Sequence, residues 1–168
     1  MGIEVRVIGL AGWSGAGKTT LLKRLIPALT FAGFSVSTIK HAHHNFDVDT
    51  PGKDSWEHRQ AGAREVLIGS SARWALMHEL RGVAEPRLGD LLRRLSPVDF
   101  VLVEGFKRGD HPMIEVHRQA NGKPLLYPET PSIIAVATDT KVADPIPQVH
   151  LDDIAGVVAL VTAHAAAV

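Results

Sequence analysis

A glycine-rich run of eight residues has the clearest chemistry in this sequence. Residues 12–19 read Gly-Trp-Ser-Gly-Ala-Gly-Lys-Thr and fit G-x-x-x-x-G-K-[ST], the pattern of the phosphate-binding loop or Walker A motif. Glycines in such a loop let successive backbone N–H groups turn toward phosphate oxygens. Lys18 would reach the β- and γ-phosphates, and the Thr19 hydroxyl would ligate Mg²⁺. The predicted nucleotide-binding residues are Gly12, Trp13, Ser14, Gly15, Ala16, Gly17, Lys18, Thr19 and Thr20.

The segments on either side of this loop have the patterns that the motif requires. An apolar run over 5–10 predicts a buried strand, and residues 19–29 place five apolar side chains on one helical face. These five are Leu21, Leu22, Leu25, Ile26 and Leu29. The start of a helix adds partial positive charge, which favours phosphate. The order of strand, loop and helix therefore favours a phosphate site over a glycine-rich turn without a ligand.

Three acidic residues in predicted loops or at strand ends are candidates for binding Mg²⁺ or the base. Glu104 closes an apolar strand, and Asp49 lies in the loop after a second parallel strand, which is predicted at 34–39. Both positions should open on the carboxyl edge of a parallel sheet. We therefore predict Thr19, Asp49 and Glu104 as metal ligands, with Lys18 and Glu104 as catalytic residues. Asp139 ends a later strand and is the candidate reader of guanine, although the residues alone do not distinguish guanine from adenine.

Further polar residues surround this predicted edge. The loop 40–53 has three histidines, at His41, His43 and His44. Their spacing does not place two imidazoles on one helical face, so a metal site, contact with an anion and a solvated loop all stay open. Lys107 and Arg108 follow Glu104, and they indicate either a second site for a phosphorylated ligand or a basic turn.

Composition narrows the class of protein. The chain has 168 residues, 18 basic and 18 acidic side chains, and no cysteine. This length predicts one domain over 1–168. Zero net charge provides no broad field for nucleic acid or an anionic membrane, and no apolar run approaches the roughly 20 residues of a membrane span. We therefore expect a cytoplasmic protein that binds neither nucleic acid nor membrane.

Apolar strands alternate with helical patterns along the chain. This alternation predicts an α/β fold of the P-loop NTPase type, with a mostly parallel sheet flanked by helices. Two strands are predicted at 64–70 and 73–78, joined by a tight turn, and helices at 86–95 and 152–166.

A second pair of strands interrupts the alternation. Strands predicted at 113–118 and 123–127 flank Asn121-Gly122, and Asn-Gly is the strongest short signal for a hairpin. We therefore expect an inserted β-hairpin over about 112–127. Because an isolated two-stranded ribbon is marginal in water, a homodimer through this hairpin is the simplest expectation.

Six segments carry a resemblance that goes beyond the phosphate loop. They are Gly12–Thr20, Ile39-Lys40-His41, Asp49-x-Pro51-Gly52-Lys53-Asp54-Ser55, Ala61-Gly62-Ala63, Val101-Leu102-Val103-Glu104-Gly105-Phe106-Lys107 and Ile114-Glu115-Val116-His117-Arg118. In this order they resemble the molybdopterin-guanine dinucleotide biosynthesis protein B (MobB) family. The phosphate loop alone identifies only a superfamily, whereas Pro-Gly-Lys-Asp-Ser and Val-Glu-Gly-Phe-Lys are much more specific.

The resemblance implies a function and partners. It implies a homodimeric, GTP-binding protein with weak, Mg²⁺-dependent GTPase activity, which assists the nucleotidyltransferase MobA in attaching GMP to molybdopterin. Two alternatives stay open. In a small-molecule kinase, Lys107, Arg108 and the loop 41–53 would hold an acceptor hydroxyl. In a pure binding module, the same site would bind nucleotide without turnover.

Overall fold

The protein forms a mostly parallel sheet, and helices follow several of its strands along the chain. The computed structural model describes residues 4–42, 46–106 and 109–168. The elements are β1 (Arg6–Ala11), α1 (Lys18–Phe31), β2 (Val36–Lys40), α2 (Asp54–Gln60), β3 (Glu65–Gly69), β4 (Trp74–His78), α3 (Leu88–Leu92), β5 (Phe100–Glu104), β6 (Met113–His117), β7 (Ile133–Thr138), β8 (Gln148–His150), α4 (Ile154–His164) and β9 (Ala166–Ala167). The main sheet has the order β2-β5-β1-β6-β7-β8, and β9 pairs antiparallel with β1. The other pairs in this sheet are parallel, so their carboxyl ends meet at one edge, where open α/β sheets bind ligands.

The core lies between this sheet and its helices. β1 and β5 are apolar along most of their length, as expected for strands covered on both faces. α1 buries Leu21, Leu22, Leu25 and Leu29, and α4 buries Val157 and Val161. The predicted α/β fold, the first strand and the apolar face of α1 are confirmed. Together they place the loop between β1 and α1 at the carboxyl edge.

Residues 42–90 form a compact unit of their own, and the other unit comprises the described residues of 1–41 and 91–168. The unit 42–90 contains α2 and the antiparallel pair of β3 and β4. In the turn between them, Ser70 N donates to the carbonyl oxygen of Arg73 (2.9 Å). The two strands predicted at 64–70 and 73–78 are thus confirmed, while a single domain over the whole chain stays a prediction.

The predicted hairpin over 112–127 is wrong. β6 pairs in parallel with both β1 and β7 in the middle of the main sheet. Residues 119–121 and 127–129 form short 3₁₀ turns, and Gly122 ends the first of them in the left-handed region (φ +61°). β6 is a central strand and not part of a surface hairpin because its apolar side chains are buried there: Ile114 and Val116 are almost fully inaccessible to solvent. Asn121-Gly122 therefore closes a 3₁₀ turn and does not join two strands.

Two helices are shorter than predicted. α3 spans only Leu88–Leu92, within the predicted 86–95. α4 ends at His164, and the small residues beyond it form β9 against the start of β1. Among the described residues, no helix has both the length and the apolar character needed to cross a membrane.

Candidate functional site

The phosphate loop connects β1 to α1 at the carboxyl edge of the sheet. Gly12, Gly15 and Gly17 have φ values of +142°, +80° and +100°, which residues with a Cβ rarely adopt. Gly12 is also restricted by packing, because a methyl group there would lie 2.5 Å from the carbonyl oxygen of Val116 on β6. The glycines of the motif are therefore required by the backbone geometry of the loop.

Lys18 folds back over this loop from the first turn of α1. Its half-buried Nζ donates to the carbonyl oxygens of Gly12 (2.8 Å) and Trp13 (3.1 Å). Lys18 is positively charged and begins α1, whose N-terminus carries partial positive charge from the helix dipole. Ala16 is buried, whereas the surface of the loop and of the first helical turn is formed by Ser14, Gly15, Thr19 and Thr20. This arrangement has the charge and the exposed backbone that phosphate groups require.

The segment after β6 holds the phosphate loop from the side. Trp13 Nε1 donates to the carbonyl oxygen of Pro124 (2.8 Å), and Asn121 Nδ2 donates to that of Ser14 (3.1 Å). Lys123 Nζ lies 5.9 Å from the centre of the Trp13 ring. The side chain of Trp13 is therefore held in place by residues of the segment after β6. These contacts were not predicted from the sequence, because Asn121-Gly122 was expected to lie in a hairpin turn.

A buried carboxylate anchors the same segment. Glu115 is fully buried on β6, and its two oxygens accept hydrogen bonds from the backbone N–H groups of Leu126 (2.8 Å) and Tyr127 (3.0 Å). A buried acid requires such partners, because a charge without them is very unfavourable in the interior. Glu115 is not among the residues for which the sequence predicted an individual role. The available signal was an acid between Ile114 and Val116 in an apolar strand.

Glu104 ends β5 beside the phosphate loop. It is in register with Leu10 on β1, two residues before Gly12, and its backbone oxygen accepts a hydrogen bond from His41 N (2.8 Å). Gly105 follows at φ +98°. The side chain of Glu104 is half-buried at the edge of the sheet, and Thr19 is exposed at the start of α1. A carboxylate and a hydroxyl are the hard oxygen ligands that Mg²⁺ prefers, so these two residues fit the predicted metal.

Asp49 belongs to the unit 42–90, where it is held in a charged network. Its carboxylate accepts hydrogen bonds from Ser55 Oγ (2.8 Å), Thr50 N (3.0 Å) and Arg59 Nε (3.1 Å). Burial works to raise the pKa of Asp49, but the hydrogen bonds from Ser55, Thr50 and Arg59 lower it overall. Arg59 also binds Asp47 (2.7 Å) and Glu79 (2.9 Å). This network shapes the loop between β2 and α2, and the metal role of Asp49 stays a prediction.

The predicted polar cluster can be followed only in part. His43, His44, Lys107 and Arg108 lie outside the described residues. The ring of His41 packs against Phe106, with 5.0 Å between the ring centres. Within the ranges that the structure describes, no three His, Cys, Asp or Glu side chains are grouped so that they could hold a metal ion.

Asp139 lies at the carboxyl end of β7, beside a small cavity. The cavity has a volume of about 200 Å³ and is lined by Thr138, Asp139, Thr140, Lys141, Gln148, Val149 and His150. This is smaller than the roughly 300–1,000 Å³ of pockets that enclose a whole drug-sized ligand, but it suits a part such as a base. Asp139 Oδ1 accepts a hydrogen bond from Gln119 N (2.9 Å), which orients the carboxylate.

Sequence comparisons find relatives along most of the chain. The sequence profile of the family described as "Molybdopterin guanine dinucleotide synthesis protein B" (MobB) matches residues 7–139. A molybdopterin-guanine dinucleotide biosynthesis adapter protein of Escherichia coli is 42% identical over 155 residues, which cover 90% of this chain and 89% of the relative. A protein of the same name from Haemophilus influenzae is 45% identical over 141 residues, covering 83% of this chain and 78% of the relative.

Solved structures give the same result for the fold. A crystal structure of molybdopterin-guanine biosynthesis protein B has a TM-score of 0.75 and 26% sequence identity, covering 94% of this chain and 98% of the other. The crystal structure of Bacillus subtilis MobB has a TM-score of 0.71 and 24% identity, covering 96% and 98%. The second match supports the fold alone.

Proposed function

Because this chain belongs to the MobB family, we propose that it binds GTP with Mg²⁺ and assists the attachment of GMP to molybdopterin as an adapter protein. The main support is the phosphate loop, in which Lys18 Nζ lies 2.8 Å from the carbonyl oxygen of Gly12 at the start of α1. The loop backbone, Lys18 and Thr19 bind the triphosphate and its Mg²⁺. The relatives named as adapters support a protein partner, for which a nucleotidyltransferase of the MobA type is our candidate.

Asp139 and its cavity support guanine as the base. The cavity opens at the carboxyl ends of β7 and β8, in the same sheet as the phosphate loop. A carboxylate has acceptor capacity beyond a single hydrogen bond, so Asp139 can bind Gln119 N and still accept from guanine N1–H and the exocyclic amine. Adenine offers no N1–H donor, so the same carboxylate disfavours ATP.

We propose slow hydrolysis by positioning and charge stabilisation. Water attacks the γ-phosphate, and the loop N–H groups and Lys18 stabilise the developing charge. Thr19 at the start of α1 and Glu104 at the end of β5 are the residues that would hold the ion or its water molecules. When bound, Mg²⁺ supplies neutralising charge to the phosphates. No further residue with the role of a general base is needed for slow turnover.

Binding and product analysis test this proposal against its alternatives. The wild-type protein is titrated with GTP and ATP in Mg²⁺ and then incubated with γ-labelled GTP. We expect tighter binding of GTP and slow release of labelled inorganic phosphate. Label on a small acceptor would support the kinase, and binding without release would support the module. Absence of binding to either nucleotide would contradict the whole proposal.

The first site prediction concerns Glu104. Glu104→Gln keeps the shape of the side chain but removes a charge near the proposed metal, so we expect turnover to fall about 10-fold or more while GTP affinity changes little. Single-turnover hydrolysis and equilibrium titration measure the two quantities. The exposed Glu129→Gln is a control for the change in charge. Equal losses in turnover and affinity would instead assign Glu104 a structural role.

We also propose that the protein is a homodimer, but through a different ribbon from the one that the sequence predicted. Side chains alternate across the β3–β4 pair, with Val66 and Met77 buried on one face. The opposite face carries Leu67, Trp74 and Leu76, which are 65%, 67% and 43% exposed. An exposed apolar ribbon of two strands is marginal in water. The simplest way to bury this exposed apolar face is to pack it against the same face of a second copy of the protein.

The dimer prediction is tested on this exposed face. We expect the wild type to be dimeric by light scattering at micromolar concentration. Leu67→Asp combined with Trp74→Asp should make it monomeric, since each copy would then have to bury two charges. Val83→Asp, at an exposed apolar residue outside the ribbon, is the control and should remain dimeric. A wild type that is monomeric even at high micromolar concentration would contradict the proposal.

A further inference from the structure

Arg118 follows β6 directly and lies against the start of α1. A methyl group on Gly17 would come within 3.1 Å of Arg118 Nε and 3.8 Å of its Nη2. The guanidinium therefore packs onto the residue that precedes Lys18 in the phosphate loop. The backbone of Arg118 is held by β6 on one side and by the following turn, in which Asn121 N donates to the Arg118 oxygen (3.0 Å).

In the part of the chain that the structure describes, the side chain of Arg118 has no counter-ion in direct contact. Among the described residues, none holds its guanidinium by a hydrogen bond or an ion pair. The positive charge of Arg118 interacts electrostatically with Asp152. The Asp152 carboxylate, however, forms a hydrogen-bonded salt bridge with Arg24 at 2.7 Å. This hydrogen bond is the main cause of the lowered pKa of Asp152, and the charge of Arg118 is the smallest one.

A half-buried cation at this position is unfavourable without an anion. The N-terminus of a helix carries partial positive charge, so it repels a nearby cation. Lys18 adds a second positive charge within the same loop. An anion bound at the loop would reverse the sign of both effects. A negatively charged ligand in the loop would therefore stabilise the guanidinium of Arg118 at this position.

We propose that Arg118 is a phosphate-binding residue, which contacts the bound triphosphate from β6 while Lys18 contacts it from α1. This inference rests on the proposed function, because it assumes that the loop binds a triphosphate. The guanidinium is planar, always charged and able to donate two parallel hydrogen bonds to phosphate oxygens. It would bind the phosphates as a rigid fork, whereas the lysine acts as a point charge.

Calorimetric titration of four proteins tests the inference. The wild type, Arg118→Ala, Arg118→Lys and Arg94→Ala are each titrated with GTP and with inorganic triphosphate in Mg²⁺. We expect Arg118→Ala to weaken both ligands about 10-fold or more, and Arg118→Lys to recover part of this loss. Arg94→Ala removes the same charge from an exposed arginine that precedes β5 and should bind as the wild type does.

The melting temperature without ligand separates binding from structure. For Arg118→Ala we expect an unchanged or higher melting temperature, because the repulsion at the helix N-terminus is relieved. An affinity of Arg118→Ala that stays within about twofold of the wild type would overturn the inference at any melting temperature, and a lower melting temperature beside it would assign Arg118 a structural role. If Arg118→Ala does not fold, Arg118→Lys decides, and wild-type affinity in that variant overturns the inference because lysine cannot donate the two parallel hydrogen bonds. A wild type that binds neither ligand would instead contradict the proposed function itself.

Discussion

Replacing Lys18 by alanine is expected to weaken GTP binding by about 100-fold or more while the protein remains folded. The loss follows from removing charge-assisted contacts to the β- and γ-phosphates, which contribute about 1.5–3 kcal/mol each. The fold should persist because Lys18 is only half-buried and its ammonium contacts the loop carbonyls of Gly12 and Trp13. Titration with a fluorescent GTP analogue measures the affinity, and circular dichroism measures the fold.

Lys23→Ala is the matched control for this experiment. Lys23 is exposed on α1, one turn beyond Lys18, so its removal changes the net charge equally without touching the loop. We expect its GTP affinity to match that of the wild type. Wild-type affinity in Lys18→Ala would exclude Lys18 from the site and, with it, the proposed manner of phosphate binding.

Replacing Glu115 by alanine is expected to lower the free energy of unfolding by about 3 kcal/mol. The change leaves the part-buried N–H groups of Leu126 and Tyr127 without their acceptor. An unsatisfied buried donor costs about 1–3 kcal/mol, so two part-buried donors should cost about 3 kcal/mol together. Glu115→Gln should cause a smaller loss, because it keeps one acceptor oxygen. Urea unfolding followed by far-ultraviolet circular dichroism measures both values.

The effect of Glu115 should also extend to the ligand. Because the segment after β6 contacts the loop through Trp13 and Asn121, its loosening should weaken GTP binding as well as the fold. Glu129→Ala removes an exposed acid from the same segment and serves as the control. If Glu115→Ala unfolds at the same urea concentration as Glu129→Ala, the anchoring role of Glu115 is excluded.

The phosphate loop was predictable because its conformation depends on local residue types. The glycines at 12, 15 and 17 have positive φ values, and the apolar patterns of β1 and α1 are each visible in a short window of sequence. The antiparallel pair of β3 and β4 was predictable for a similar reason, since a short turn joins neighbouring strands. In each case the partner groups lie close in the chain.

The position of β6 was not predictable in this way. Met113 to His117 has the same extended pattern in a hairpin as in a central strand, and only its pairing with β1 and β7, distant in sequence, decides between them. Asn121-Gly122 is a local signal for a turn, and it does not determine the position of β6, which depends on the burial of that strand between β1 and β7. For the same reason, the sequence did not reveal that Glu115 binds Leu126 N or that Arg118 packs on Gly17. These contacts exist only once the strands are assembled.

The tethering of residues 118–127 has a consequence for how this region can change length. Connections on a protein surface ordinarily tolerate insertions and deletions. Here the segment is fixed at Asn121 and Pro124 to the phosphate loop and at Leu126 and Tyr127 to β6. An added or missing residue between these points would shift one attachment relative to the other. Functional relatives that keep these contacts should therefore have the same number of residues between the arginine after β6 and the two amides that the buried glutamate binds.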